Sequence, residues 1–176
     1  MKGFTLFELI IALGLFTITI TAGVVSLGRA RNSVEMQGAY SDVFSYIRTL
    51  QNAARNSVAI NNNGTNPQVP DFYTISFANN DYSLYYCDST GATTANCTLE
   101  QQNLKSTRYG IYNLTSTCSR IGFSRTTGNI VSITNGGTVS DSNTTCTITL
   151  SRTVNSQVIN KTIGINIGRD SFEYDD

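Results

Sequence analysis

The chain has no histidine, and that absence alone removes much of the enzyme repertoire. Ser-His-Asp hydrolysis, Cys-His proteolysis, imidazole-bound zinc and His-ligated haem all need a side chain that these 176 residues do not contain. Neither charge dominates, since 12 Lys and Arg stand against 12 Asp and Glu. Sequence-independent binding of a phosphate backbone draws on a basic excess, so a dedicated nucleic-acid binder is disfavoured. Charged residues make up only 14% of the chain, while Asn, Thr and Ser are abundant, a balance typical of extracellular β-rich domains. The length suits one domain with its own core plus an appendage.

Metal and nucleophile chemistry are missing as well. Cys87, Cys97, Cys118 and Cys146 form no C-x-x-C pair, so zinc and thioredoxin-like readings lack their spacing, and the even count reads as two disulfides. Four cysteines allow three pairings; the local one, Cys87 with Cys97 and Cys118 with Cys146, is preferred because each bond would clip a loop or join neighbouring strands. Asp170, Glu173, Asp175 and Asp176 lack the spaced loop of a calcium site and read as a solvated tail. No nucleophile has a visible base, and no cofactor or metal motif is present, so no enzymatic activity is expected. The Asn-x-Ser/Thr sequons at Asn63, Asn96, Asn113, Asn143 and Asn160 are what an Asn- and Thr-rich chain yields by chance. Tyr82, Tyr85 and Tyr86 fit either an adhesive platform or aromatic packing across a strand.

What is present at the N-terminus is a long apolar run. From Phe4 to Leu27 a single charge, Glu8, interrupts apolar and weakly polar residues. A helix of that length spans about 36 Å, against a hydrocarbon core of about 30 Å. Thr17, Thr19 and Thr21 alternate as in a strand, but a lone strand leaves its backbone unsatisfied in lipid, whereas helical Thr returns its hydroxyl to the preceding turn. A transmembrane helix over 4–27 follows. An ionised Glu8 in lipid costs up to about 3 kcal/mol, so the carboxylate calls for a partner.

Gly3-Phe4-Thr5-Leu6-Phe7-Glu8-Leu9-Ile10 resembles the class III signal of type IV pilins and type II secretion pseudopilins. That pattern is a Gly before the cut, a Phe after it, a Glu at the fifth mature position and an unbroken apolar helix. The resemblance covers about the first 25 residues. It implies a leader of residues 1–3, cleavage by a membrane prepilin peptidase between Gly3 and Phe4, and N-methylation of Phe4. It also gives Glu8 a partner, the terminal ammonium of a neighbouring subunit inside an apolar filament core, where unpaired charge is expensive. The chain departs from major pilins in its three-residue leader and in having Val25 where most carry Pro. Arg29 and Arg31 also lie on the side opposite to the positive-inside tendency. The missing Pro suits a minor pilin or pseudopilin better than a major subunit.

Beyond Gly28 the apolar pattern narrows to one face, with Tyr40, Val43, Phe44, Ile47, Leu50, Ala54 and Val58 recurring at three- and four-residue steps. The expected helix therefore covers 4–60, with an amphipathic half at 28–60, and stops at Asn61-Asn62-Asn63-Gly64. From Phe72 the period becomes two, with strands expected at 72–78, 82–87, 118–125, 129–134, 144–152 and 158–167. Residues 88–107 read as a polar surface excursion. The expected fold class is α+β and pilin-like: a long N-terminal helix, its first half transmembrane, packed on one antiparallel sheet formed within 61–176.

A second resemblance lies in Ser45–Ile60 and in Ile163-Gly164-Ile165-Asn166-Ile167-Gly168-Arg169, which are similar to the helix end and closing strand of FimT/GspH-like minor pilins. Members of the FimT branch bind DNA through a terminal Gly-Arg-x-Arg. Here Gly168 and Arg169 are followed by Ser171 and by acids, which leaves Arg169 a weak DNA-binding candidate and nucleic acid a disfavoured partner. The resulting expectation is a minor pilin or pseudopilin that waits in the cytoplasmic membrane with its β-domain outside. It would then enter a surface pilus or periplasmic pseudopilus, with other subunits and the prepilin peptidase as partners. The alternatives are a DNA-uptake or adhesive pilin and a signal-anchored extracytoplasmic hydrolase.

Overall fold

The computed structural model describes residues 5–60, 67–91, 93–106, 108–142, 144–154, 156–168 and 171–174, without the side chains of 22–26, 29, 171, 173 and 174. One helix, α1 (Leu6–Arg55), is followed by ten strands: β1 (Phe72–Ala78), β2 (Asp81–Gly91), β3 (Thr94–Gln101), β4 (Asn113–Ser116), β5 (Arg120–Ser124), β6 (Ile130–Ile133), β7 (Val139–Ser140), β8 (Thr145–Val154), β9 (Gln157–Asn166) and β10 (Ser171–Tyr174). The chain divides into two compact units, residues 1–35 and 36–176.

Helix α1 ends earlier than the Asn-Gly run suggests. Ser57 takes the left-handed conformation (φ 49°), its N–H reaches the Ala54 carbonyl at 3.2 Å, and the Val58 N–H reaches Ala53 at 3.1 Å. This pair of bonds is the Schellman closure, which satisfies the last carbonyls of the helix without glycine. Val58, expected on the buried face, lies past the cap and is exposed. Upstream of the cap, Met36, Ala39, Val43, Ile47, Leu50 and Ala54 are buried at three- and four-residue spacing, the face a 3.6-residue period brings to one side.

That face packs on strands of two sheets. The six-stranded sheet has the order β3-β2-β1-β5-β6-β7 and the four-stranded sheet β10-β9-β8-β4, every pairing antiparallel. Tyr73, Ile75, Phe77, Tyr82, Leu84, Ile121 and Phe123 from the first sheet share a core with the helix and with Leu114, Cys146, Ile148, Leu150, Ile163 and Ile165 from the second. The other face of the six-stranded sheet is also covered, because the sheet curls. The N–H of Ala95 on β3 donates to the Gly137 carbonyl at 2.8 Å, and the N–H of Val139 on β7 donates to Thr93 at 2.7 Å, so the two outer strands meet. Inside the curl Cys87, Ala95, Val131 and Ile133 form a second apolar cluster. Strand β1 is therefore buried on both faces from Tyr73 to Phe77, which alternation alone would not suggest.

Turns follow their chemistry. Asn79 and Asn80 both have positive φ (53° and 62°) and join β1 to β2 through the two-residue turn whose twist matches a hairpin. Gly137 (φ +81°) is required twice over, since a Cβ there would also collide with the Ala95 carbonyl.

Several expectations are corrected. The pilin-like plan of one helix on one antiparallel sheet is replaced by two sheets, one of them curled on itself. Residues 88–107 are not an irregular excursion: most of them form the distal part of β2 and all of β3, whose polar side chains face solvent on an edge strand. Strands β4, β7 and β10 were not expected, being too short or too polar to show a period. The transmembrane half at 4–27 is corrected too, because among the described residues no helix is long and apolar enough to cross a membrane. The single-pass inner-membrane placement rested on that span and falls with it.

Candidate functional site

The N-terminal unit begins with a capping box. The Thr5 N–H and hydroxyl both donate to the Glu8 carboxylate at 3.0 Å, and the Glu8 N–H returns a bond to the Thr5 hydroxyl at 3.3 Å. Thr-x-x-Glu before an apolar run is a sequence signature of a helix start, and it was legible in Thr5-Leu6-Phe7-Glu8. Glu8 thus has a local role besides the filament role its resemblance implies: it satisfies orphan donors where the helix dipole is positive.

Past the cap the helix is apolar all round. Leu6, Phe7, Leu9, Ile10, Leu13, Leu15, Phe16 and Ile18 are each more than half exposed, and they occupy every side of the helix rather than one stripe. The three threonines in this run add no free polarity. Thr17, Thr19 and Thr21 each donate their hydroxyl to carbonyls three and four residues back, at 2.8 to 3.2 Å. A helix that is hydrophobic on all sides is stable in water only when something covers it. The first described ion pair along the helix is Arg31 with Glu35, one turn apart at 2.8 Å.

The other residues singled out by sequence fall elsewhere. Gly3 and Phe4 lie outside the described residues, and so does Arg169, with Asp170, Asp175 and Asp176 beside it. Cys87 is bonded to Cys97 and Cys118 to Cys146. The three tyrosines make no platform. Tyr82 is fully buried with its ring edge-on to Tyr46 and its hydroxyl 3.4 Å from Asp42, and burial pushes its ionisation far up. Tyr86 packs edge-on against Tyr73 on the same sheet face, while Tyr85 points to the opposite face, where the Arg120 guanidinium lies 4.1 Å from its ring centre. Among the described residues no group of acids and cysteines could hold a metal ion.

One polar junction escaped the sequence reading. Asp71 bonds Arg125 at 2.7 Å and accepts the Ser89 N–H at 2.9 Å, which ties the start of β1 to β2 and to the end of β5. The Arg125 hydrogen bond, followed by that N–H, holds the Asp71 carboxyl below its usual range. These residues are 54 apart in sequence, and no local pattern links them.

No family model matches the chain, and no curated protein or solved structure matches it either.

Proposed function

We propose that the chain is a non-enzymatic structural subunit that joins a filament of the pilin or pseudopilin kind by packing its N-terminal helix among the same helices of other subunits. The observation that carries this reading is the exposed, all-round apolar helix with one carboxylate near its start. Other apolar helices cover such a surface, and a terminal ammonium of a neighbour neutralises Glu8 where the assembled core excludes water. The Gly3-Phe4 motif supports the same reading, since cutting there would create that ammonium four residues before Glu8.

Two measurements test it. The mass of the protein from its native host should correspond to a chain starting at N-methyl-Phe4 and four hydrogens lighter than the fully reduced form. A chain retaining Met1, or starting near Gly23, would end the filament reading. The second is incorporation of Glu8→Gln into sheared filaments. Gln keeps the capping box but removes the charge, so incorporation should fall at least tenfold while cleavage stays intact. Normal incorporation of Glu8→Gln would show that the charge has no assembly role.

A further inference from the structure

Strand β3 differs from every other long strand in how little holds it. Of its eight residues only Ala95 is buried, Cys97 is half-buried, and the remainder face solvent, Leu99 included. It is the outermost strand of its sheet, and its pairing to β2 is interrupted by register shifts at Leu84/Tyr85 and at Ser89/Gly91. Beyond the β2 ladder and the Thr90–Thr94 hydroxyl bond at 3.1 Å, the described residues around it add these non-covalent ties. Ala95 and Thr93 bond Gly137 and Val139, the Leu104 N–H returns to the Tyr82 carbonyl, and Glu100 bonds the Tyr86 hydroxyl.

Near the middle of this weak ladder Cys87 and Cys97 sit directly opposite one another and are bonded, with Cα atoms 4.0 Å apart. The two ends of the bond differ. Cys87 is fully buried in the inner cluster with Val131 and Ile133, whereas Cys97, half-buried on the edge strand against that cluster, is the more exposed of the two. The second disulfide shares that burial pattern, with Cys146 buried in the main core and Cys118 half-buried against it, but it joins β8 to the segment between β4 and β5 and ties down no edge strand.

We propose that β3 is a disulfide-latched strap. While Cys87–Cys97 is intact, the strap closes the curled sheet and covers both the outer edge of β2 and the inner cluster; when the bond is reduced, the strap detaches and exposes them. The step balances with a dithiol as reductant. One thiolate attacks the Cys97 sulfur and releases the Cys87 thiolate, the second thiol closes the reductant's own disulfide and releases Cys97, and two protons end on the two cysteines. The β2 edge from Leu84 to Gly91 then presents unpaired N–H and C=O groups. The strap belongs to the low-stability end of the molecule, where few buried contacts accompany exposed backbone bonds.

Hydrogen exchange and thiol mapping on the full chain test this. The samples are the oxidised protein, the protein treated with a dithiol at neutral pH, and the Cys97→Ser variant. In the latter two, amides of Thr94–Gln101 should exchange at least tenfold faster while those of β1, β5, β8 and β9 keep their protection. Alkylation during reduction should reach Cys87 and Cys97 at least tenfold faster than Cys118 and Cys146. Retained protection of β3 would overturn the latch, because the backbone ladder alone would then hold the strand. Loss of protection throughout β1, β5, β8 and β9 would overturn it as well, because the bond would then be a staple of the whole domain. Equal alkylation of all four cysteines would overturn the assignment of the latch to this bond.

Discussion

Ser57 is a non-glycine residue held in the left-handed region at the cap of α1, a conformation that costs an L-residue about 1 kcal/mol and glycine almost nothing. Ser57→Gly should therefore stabilise the domain by about 0.5 kcal/mol, once the greater freedom of glycine in the unfolded chain is set against that relief, read as a higher denaturation midpoint at unchanged slope. The opposite holds at Gly137. Alanine there meets both a positive φ and the Ala95 carbonyl, and Gly137→Ala should cost about 2 kcal/mol or more. At Asp71 the effect depends on pH. Its folded carboxyl titrates below its unfolded value, so its contribution is present above about pH 4 and is lost as the pH falls through the folded pKa. The pair is partly exposed and screened, so Asp71→Asn should cost only about 0.5–1 kcal/mol at pH 7. The difference from wild type should shrink steadily as the pH falls below about 4, which denaturation at pH 7 and across the acid range measures. Of these residues only Gly137, inside an Asn-Gly-Gly turn, announced itself in the sequence. Ser57 has no signature as a left-handed cap, and Asp71 and Arg125 are brought together by the β1–β5 pairing.

The elements divide by how much of their order is local. Helix α1 carries its start in Thr5 and Glu8 and its buried face in the spacing from Ala39 to Ala54, and both could be read along the chain. Its core residues are held by tertiary packing, so Ile47→Ala should cost about 2–5 kcal/mol and should act on the domain's cooperative unfolding rather than on helix propensity. Six strands lie close to runs of period two; β2, β8 and β9 alternate because one face meets a core, whereas β1 and β5 are buried on both faces. Strand β3 escaped notice since its order comes from pairing with β2, with little apolar burial of its own. β7 has two residues and β4 four, too few for a period to be visible. The side chains of the N-terminal half of α1 are apolar on all sides, and periodicity cannot say what covers such a surface.

At the scale of the molecule the Cys118–Cys146 bond anchors the chain where it passes from β4 in one sheet to β5 in the other. Replacing both cysteines by serine should cost about 3 kcal/mol, since the bond closes a loop of 28 residues in the unfolded chain. That loss should appear in every part of the sheet region, in contrast to the local loosening expected at β3. Legible along the chain are the absence of histidine chemistry, the neutral charge balance, the apolar helix with its single carboxylate, and the alternation behind most of the strands. Each of these depends only on residue identity and short-range spacing. Tertiary structure alone decided that the strands split into two sheets, that one sheet curls until β3 meets the turn before β7, and that β1 is buried on both faces. Strand partners, register and curvature are set by contacts between residues far apart in sequence, and an alternating pattern is compatible with many pairings until packing selects one.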